Sequence, residues 1–368
     1  MRDQKKKSKG RLWKLLSWIA CIGLLLSYAG TFISPADFKG LFLFAISYPL
    51  WFLSTIISLL FWAFRKSKFV LVPLLALLLG WPIHGRFIQL LPKFQNEVPE
   101  AESKLKVLTY NVRLFDLYNW SKNTETRDKI IDLLVDQKAD VMCFQEFYHT
   151  EREGVFETKN TLLKLMPVKY YHEKYTHKMH GDQYFGVVTF SKYPIVNRGF
   201  IPFETDYNNF CIYSDILVDK DTIRVYNTHL ASIRFQKEDY KFMEVGGEEQ
   251  DKIEGGQRIL SRLTSAAVNR SEQAEKVSQS IAESPYPVIL CGDFNDTPVS
   301  FTYRTLRENL EDSFIAKGSG IGNTYIGAFP SFRIDYILHS ERIKARAYKT
   351  LPEKYSDHHA VTVDFSWE

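Results

Sequence analysis

The stretch VILCGDFN, residues 288–295, joins a short apolar run to a glycine and then to polar residues. Four consecutive apolar residues bounded by turn-forming types are typical of a buried strand. Asp293 and Asn295 therefore lie just beyond the end of a predicted strand. This pattern is a buried strand that places carboxylate and amide groups at a sheet edge. The same pattern helps to interpret the rest of the chain.

The same pattern recurs from residue 105 onward, where other strand-like runs carry a polar side chain at or near one end. Because strand ends gather at one edge of a sheet, these groups are expected to converge in one cleft. They are Asn111 after 107–110, Glu146 after 141–144, His229 after 225–227, Asp335 within 333–338, and Asp357 and His358 before 360–365.

Strand-like runs outnumber helical ones in this region, which predicts an α+β fold with two sheets packed face to face. Helices are predicted at 127–137, where apolar residues recur at helical spacing, and at 257–283. Between them, the polar stretch 232–256 contains two Gly-Gly pairs and predicts a mobile loop or lid. The predicted strands are 105–110, 141–144, 185–190, 213–218, 222–227, 288–291, 333–338 and 360–365.

The residue types at the predicted strand ends favour metal-assisted hydrolysis. Carboxylate and amide oxygens are hard ligands that suit Mg²⁺ or Mn²⁺, and histidines beside carboxylates suit proton transfer near neutral pH. The sequence has no Gly-rich phosphate loop, no serine or cysteine nucleophile motif and no CxxC spacing among its four cysteines. Water activated by a metal and a base is therefore the expected nucleophile.

Six blocks, in this order, resemble the endonuclease/exonuclease/phosphatase superfamily with its DNase I-like fold. They are TYNV (109–112), FQE (144–146), NTHL (227–230), GDFNDTP (292–298), RIDYI (333–337) and SDHHAV (356–361). The resemblance covers about residues 105–368, and GDFN followed by SDH is its most specific part. It implies a four-layer α/β/β/α sandwich and Mg²⁺-dependent attack of water on a phosphoester.

The resemblance also implies a metal site. Glu146 would be the principal ligand, helped by Asn111 and Asp357. The cofactor would be Mg²⁺, with Mn²⁺ as an alternative of similar chemistry.

The catalytic groups implied by the resemblance surround that metal site. His358 would be the general base, oriented by Asp335. Asp293 would orient or activate the water, or stabilise the leaving group. Asn295 and His229 would bind the phosphate and stabilise charge in the transition state.

Each of these residues also has an ordinary structural explanation when it is taken alone. Asn111 could form a turn, and Asp293 and Asn295 could cap a helix before Pro298. Their occurrence together, in family order, favours the functional interpretation. The alternative is a catalytically inactive module on the same fold that binds a lipid or a protein, and the intact set argues against it.

The N-terminal region has a different composition, with apolar runs at 12–33, 41–64 and 69–83. The first two are long enough to cross a bilayer, which needs about 20 apolar residues, and the third can cross with tilt or local thinning. The sequence thus predicts a basic cytoplasmic tail (1–11), a transmembrane anchor of about three helices (12–90), a linker (91–104) and a catalytic domain (105–368).

Lys and Arg bias predicts the orientation of this anchor. The basic tail and the link RKSK at 65–68 are expected in the cytoplasm. Three spans then place the catalytic domain on the extracytoplasmic side, whereas a third segment lying in the interface would leave it cytoplasmic. A cleavable signal peptide is the alternative for the first run, and the second long run that follows favours a retained anchor.

Several substrate classes remain open. The block NTHL, with His229, is similar to the branch that includes deoxyribonuclease I, neutral sphingomyelinases and inositol-polyphosphate phosphatases. The net charge of +4 lies largely in the N-terminal tail, which is weak evidence against a nucleic-acid substrate. Tethering to a bilayer favours a lipid head group. Diester and monoester substrates are both compatible with the sequence.

Overall fold

The computed structural model describes residues 2–90, 93–94, 103–154, 156–179, 181–204, 206, 208–245, 249–327 and 332–368. Most of the predicted linker, 91–104, lies outside these residues. The chain forms two compact units. A helical unit comprises Met1–Phe87, Arg234–Ser271 and Thr297–Arg304, and a sheet unit comprises Ile88–Ile233, Glu272–Asp296 and Thr305–Glu368.

The described strands form two six-stranded sheets within the sheet unit. The first has the order β11-β12-β1-β2-β4-β3, and the second has the order β5-β6-β7-β8-β10-β9. The β1–β2 and β7–β8 pairs are parallel. The strands are β1 (Ser103–Asn111), β2 (Val141–Thr150), β3 (Tyr170–Met179), β4 (Gln183–Ser191), β5 (Ile195–Pro202), β6 (Phe210–Val218), β7 (Asp221–His229), β8 (Val288–Asp293), β9 (Glu311–Asp312), β10 (Asp335–His339), β11 (Lys344–Thr350) and β12 (Val361–Trp367).

The α-helices lie in both units; the first five precede β1, and the others lie between strands. They are α1 (Arg2–Ala29), α2 (Leu41–Ile46), α3 (Tyr48–Phe64), α4 (Leu71–Leu79), α5 (Trp81–Phe87), α6 (Thr126–Gln137), α7 (Thr158–Leu165), α8 (Lys237–Val245), α9 (Glu249–Ala282), α10 (Phe301–Leu306) and α11 (Ser313–Lys317).

Apolar side chains from both sheets fill the space between them. Val107 and Val141 of the first sheet pack in one buried cluster with Val225 and Ile289 of the second. Burial of such side chains contributes about 1.5–3 kcal/mol each relative to exposure. This shared core holds the two sheets face to face.

Helices cover the outer face of each sheet. Residues of α6 and α7, including Ile130 and Leu162, pack on the first sheet against Phe144. On the second sheet, the hydroxyl of Tyr226 in β7 donates to the carbonyl of Ser280 in α9 over 2.9 Å. The layer order is α/β/β/α, which confirms the predicted α+β sandwich.

The structure contains every predicted strand, and it adds four that the sequence did not reveal. The predicted strands are β1, β2, β4, β6, β7, β8, β10 and β12, and the additional ones are β3, β5, β9 and β11, which are the four sheet edges. An edge strand has one neighbour and one solvated side, so it needs no continuous apolar run. The residues of β5 are accordingly mostly exposed.

The prediction of a mobile loop at 232–256 was wrong for most of its length. Helix α8 occupies Lys237–Val245, and α9 begins at Glu249 instead of residue 257. Two arginines stabilise the pairing of these helices, because Arg258 and Arg262 both contact the Asp239 carboxylate, at 2.7 and 2.8 Å. One helical glycine costs only about 1 kcal/mol relative to alanine, which a 34-residue helix can accommodate.

The predicted membrane segments differ from the expected three continuous helices. Only Gly10–Ala29 among the described residues is a single helix long and apolar enough to cross a membrane. The second segment is split into α2 and α3 at Ser47, just before Pro49, since proline removes a helical hydrogen bond. The third segment bends by 63° between α4 and α5, and it counts as one span only if the bent pair does.

A histidine lies among the apolar helices of the helical unit with both ring nitrogens occupied. His84 Nε2 lies 2.9 Å from the carbonyl oxygen of Leu77, which can only accept, so Nε2 carries the proton. His84 Nδ1 then accepts from the hydroxyl of Tyr48 over 2.6 Å. These bonds satisfy a polar group that would otherwise be costly to bury among apolar side chains.

Several polar contacts cross between the sheets, and in one of them both residues are fully buried. Gln145 Nε2 in β2 donates to Asn227 Oδ1 in β7 over 2.6 Å. Asn227 Nδ2 in turn donates to the carbonyl oxygen of Val188 in β4 over 3.0 Å. Gln145 and Asn227 are both fully buried, so this link fixes the separation of the two sheets near their functional edge.

Replacing Gln145 with leucine leaves the buried Asn227 without its main side-chain partner. We expect Gln145→Leu to reduce the free energy of opening the sheet unit by about 1–3 kcal/mol. Native-state hydrogen exchange of β2 and β7, followed by mass spectrometry, measures that free energy. Gln257→Leu, at an exposed position in α9, is the matched control and should leave exchange unchanged. Equal protection in Gln145→Leu and wild type would contradict the proposed role of the link.

Candidate active site

Strand register brings three of the expected residues to one edge of the second sheet. In the parallel β7–β8 pair, His229 lies opposite Asp293. In the antiparallel β8–β10 pair, Asp335 also lies opposite Asp293. The ends of three adjacent strands therefore place two carboxylates and an imidazole side by side.

Glu146 reaches the site because β2 is irregular at that point. The register with β4 shifts between Phe144 and Phe147, and Glu146 has a φ of 49°. The left-handed conformation is unfavourable for a residue with a side chain and costs about 1–3 kcal/mol. The bulge turns Glu146 outward, so that 38% of its side chain is exposed, whereas Gln145 and Phe147 are buried.

Asn111, at the end of β1, lies between two of the site's carboxylates, those of Asp293 and Glu146. Its Nδ2 lies 3.1 Å from Asp293 Oδ2 and 3.4 Å from Glu146 Oε1. Its Oδ1 accepts from the backbone amide of Arg113 over 3.1 Å. Asn111 is 1% exposed, so burial fixes its orientation between the two sheets.

Asp335 and His358 form a buried pair. His358 Nδ1 lies 2.9 Å from Asp335 Oδ2, and because an ionised carboxylate only accepts, Nδ1 carries the proton. His358 Nε2 then faces Asp293 Oδ2 at 3.8 Å. Burial alone lowers the pKa of His358, but the charges of Asp335 and Asp293 outweigh it and raise this pKa to about 10.

His229 presents an unsatisfied nitrogen to the same place. Within the described part of the chain, its buried Nε2 has no hydrogen-bond partner. The carboxylate oxygens of Asp293 and Glu146 lie 3.8 and 4.0 Å from it. Burial lowers the pKa of His229, partly offset by Asp293. A buried donor left without a partner costs free energy, which a bound ligand oxygen would recover.

The side-chain and backbone amides of Asn295 both hydrogen-bond to other protein atoms. Its Nδ2 donates to the carbonyl oxygen of Leu230 over 2.9 Å and lies 3.3 Å from Asp293 Oδ2. Its backbone amide donates to Asp293 Oδ1 over 2.8 Å. In this structure Asn295 orients Asp293, and its expected contact with phosphate stays a prediction.

Asp357 lies near the cluster of Asp293, Asp335 and His358. It pairs with Arg113, a residue that no sequence motif had indicated. Its Oδ2 lies 3.3 Å from Arg113 Nε, and Arg113 also lies over the ring of Trp120 at 4.6 Å. Arg113 begins a run of four residues with positive φ, through Asp116. Nothing in the sequence signals this backbone conformation, because none of the four residues is a glycine.

The carboxylates in this site repel one another when they are all ionised. Burial raises the pKa of Asp293, an effect that the charge of His358 reduces. Burial and the neighbouring Asp357 raise the pKa of Glu146. Desolvation destabilises negative charge most at Asp293, which is 1% exposed, and a cation beside it would relieve that cost.

Two overlapping sets of residues could hold a cation. Ligand atoms of Asp293, Asp335 and His358 lie within 4.8 Å of one another. The hydrogen bond between Asp335 and His358 occupies one nitrogen of that group. The second set surrounds Glu146 Oε1 and Asp293 Oδ2, which both lie against Asn111 Nδ2. Once the Asn111 amide turns to present Oδ1, this group of hard oxygen donors suits a Mg²⁺-like ion.

A cleft of about 300 Å³ opens beside these groups. Glu146 and His229 line one part of it, and Tyr118, Thr176 and Phe210 line other parts. The cleft is therefore large enough for a phosphate group together with part of the molecule that carries it.

Comparison with known proteins identifies the family of the sheet unit. The model of the Endonuclease/Exonuclease/phosphatase family matches residues 108–358. A second model, described as a domain of unknown function (DUF8431), matches residues 10–87. No curated protein matches the chain.

Solved structures share the fold at low sequence identity. An endonuclease/exonuclease/phosphatase family protein from Bacteroides thetaiotaomicron is 16% identical, with a TM-score of 0.52, and the match covers 73% of this chain and 99% of that one. The human Nocturnin catalytic domain with bound sulfate anion is 19% identical, with a TM-score of 0.52 and coverage of 72% and 94%. The family protein from Beutenbergia cavernae is 16% identical, with a TM-score of 0.51 and coverage of 72% of each chain.

The Asp335–His358 pair can be tested without any substrate. In Asp335→Asn the imidazolium loses its nearest anion, so we expect the pKa of His358 to fall by at least about one unit. Histidine NMR titration of the full chain, in EDTA, measures this pKa, and the signal missing from His358→Gln identifies the resonance. An unchanged titration would show that Asp335 does not control the charge of His358.

Proposed function

This chain belongs to the endonuclease/exonuclease/phosphatase family and is a hydrolase of phosphoester bonds, and we propose that it is a membrane-anchored, Mg²⁺-dependent phosphodiesterase or phosphatase. The observation that carries the proposal is the buried group of Asp293, Asp335 and His358 beside Glu146 and the unsatisfied His229. One site thus contains groups suited to proton transfer, oxygen ligands suited to a cation, and a hydrogen-bond donor suited to a phosphate oxygen.

The donor set fits a divalent cation. Glu146 would hold Mg²⁺, with Asn111 and Asp357 adding oxygen ligands. Desolvation and the negative charge of Asp357 both raise the pKa of the Glu146 carboxyl group, and a cation would offset both effects. When bound, the ion supplies neutralisation of charge on the phosphoester and activation of water. Mn²⁺ has the same preference for oxygen ligands and should replace Mg²⁺.

The chain's own residues would divide the remaining work. His229 Nε2, neutral because its pKa is lowered, donates to a phosphoryl oxygen as charge develops. His358 keeps its proton because its pKa is raised, and it adds positive charge next to the reacting group. With His358 protonated, Asp293, whose Oδ2 lies 3.8 Å from His358 Nε2 and whose Oδ1 is held by Asn295, would accept the proton from water. The resemblance instead implied His358 as the base.

Changing one ligand tests the metal site and the hydrolysis together. We expect Glu146→Gln to weaken Mn²⁺ binding, measured by electron paramagnetic resonance, by about 10-fold or more, because one anionic oxygen is lost. Hydrolysis of bis-p-nitrophenyl phosphate in Mg²⁺ should fall by at least about 100-fold in Glu146→Gln and in His358→Ala.

The exposed Glu341 provides the matched control. Glu341→Gln should bind Mn²⁺ and hydrolyse the diester like the wild type. Full activity in both Glu146→Gln and His358→Ala would sink the site assignment. Normal Mn²⁺ binding with lost activity in Glu146→Gln would remove Glu146 from the ligands but leave it in the cleft.

Membrane anchoring is supported by the apolar helices of the helical unit. Many apolar side chains of α1 are exposed, including Leu15, Trp18 and Ile22, and a soluble surface seldom carries so continuous a patch. We propose that α1, α2–α3 and α4–α5 each cross the bilayer. The basic start of α1 would then stay in the cytoplasm and the catalytic domain would lie outside.

A charge placed in α1 tests the anchor. Ile22→Arg puts an arginine at an apolar, exposed position of the helix, at a cost of about 2.5–3.5 kcal/mol for insertion. We expect this variant to be depleted from the carbonate-resistant membrane fraction, in which the wild type should remain. Ile253→Arg, at an exposed apolar position of α9, should behave like the wild type. Complete extraction of the wild type by carbonate would contradict anchoring.

A C-terminal tag tests the side of the membrane. Protease added outside intact expressing cells should remove the tag if three segments span. Protection of the tag until the membrane is broken would place the catalytic domain in the cytoplasm and would count against a spanning α4–α5.

A further inference from the structure

A second cavity adjoins the active-site cleft. It has a volume of about 350 Å³. Thr176 and Phe210 line both cavities, so the two are neighbours that share part of their wall. We call the second cavity the side groove, and define it by Lys174, Tyr175, Phe200, Pro202, Phe203 and Phe210.

The surface of the side groove is largely aromatic and aliphatic. Phe200 and Pro202 come from the exposed face of the edge strand β5, and Phe203 and Phe210 come from the loop and strand that follow. The ammonium of Lys174 lies 3.8 Å from the ring centroid of Phe200. A phosphoester in the cleft would thus have apolar side chains immediately beside one of its substituents.

The polar groups around the groove contact other protein groups, including its two carboxylates: Glu204 lies 3.3 Å from Lys276, and Asp206 accepts from the backbone amide of Asn208. The Tyr175 hydroxyl donates to Glu173 over 2.7 Å, and the Thr176 hydroxyl donates to the carbonyl of Phe185 over 3.0 Å. Asn209 donates to the backbone carbonyls of His229 and Leu230. A nucleobase would lose its hydrogen bonds to water here with little replacement, whereas a hydrocarbon chain would lose none.

We propose that the side groove binds the hydrocarbon part of the substrate, so that the enzyme acts on amphiphilic phosphoesters. This inference rests on the proposed hydrolysis in the adjoining cleft and adds a substrate class to it. Specificity then comes from burial of apolar surface next to the scissile phosphate. Each methylene of the chain adds to the binding free energy until the groove is filled.

The experiment compares alkyl p-nitrophenyl phosphodiesters that differ only in the alkyl chain, from methyl to hexyl. The full chain is used in phosphatidylcholine nanodiscs, because free detergent would compete for an apolar groove. We expect kcat/KM to rise about threefold per methylene over part of the series. Binding of hexyl phosphate and methyl phosphate, measured by calorimetry, gives a second readout that needs no turnover.

Phe200→Ser removes groove surface at a position that is 47% exposed, where loss of the side chain leaves no buried cavity. We expect this variant to reduce the dependence of kcat/KM on alkyl chain length. It should also weaken the binding of hexyl phosphate by about threefold or more, while the binding of methyl phosphate stays the same. Val196→Ser is the matched control, since Val196 lies in the same strand, is 57% exposed and does not line the groove.

The outcomes separate this inference from the proposed function. Turnover of the methyl diester without any gain from longer chains overturns the groove and leaves the hydrolysis standing. Chain-dependent binding of alkyl phosphates without turnover supports the groove and overturns the hydrolysis. Tight binding of adenosine 5′-monophosphate that Phe200→Ser weakens would assign a nucleobase to the groove and overturn the hydrocarbon.

Discussion

The active site depends on a hydrogen bond between two fully buried amides, Gln145 and Asn227, which joins sheets that meet mainly through apolar contacts. Apolar packing alone tolerates sliding, since it has no preferred direction. A directional bond between buried groups has one good geometry, and leaving it unmade is costly. Gln145 precedes Glu146, and Asn227 lies two residues before His229. The link therefore sets the distance across which these two functional side chains face each other.

Strained backbone and buried charge occur together at this edge of the sheets. Glu146 occupies a left-handed backbone conformation, and two buried carboxylates, Asp293 and Asp335, flank His358. Isolated charges of this kind would be expensive to bury. They persist because Asn111, Asn295 and His358 supply hydrogen bonds and a positive charge. Strain and charge in one cleft are consistent with a site shaped for a cation and a phosphate and not for stability alone.

Sequence patterns found the interior strands and missed the edges for one physical reason. A strand with neighbours on both sides, such as β8, is buried along its whole length, so its sequence is a plain apolar run. The strand β5 pairs only with β6, is mostly exposed and contains Asn197, Arg198 and Gly199. The stretch 232–256 was misjudged for a related reason. Its helices are held by arginine contacts with Asp239 that a reading of local polarity does not detect.

The sequence by itself determined which chemical groups end each interior strand, the order of the family motifs and the apolar character of the first 90 residues. These are local properties, set by residue type and spacing along the chain. Only the tertiary structure decided that Asn111 contacts Asp293, which is 182 residues away, that Arg113 pairs with Asp357, and that Asn295 turns toward Asp293. It also created the side groove, because a cavity is a property of surfaces that folding brings together, and no single segment of the chain contains it.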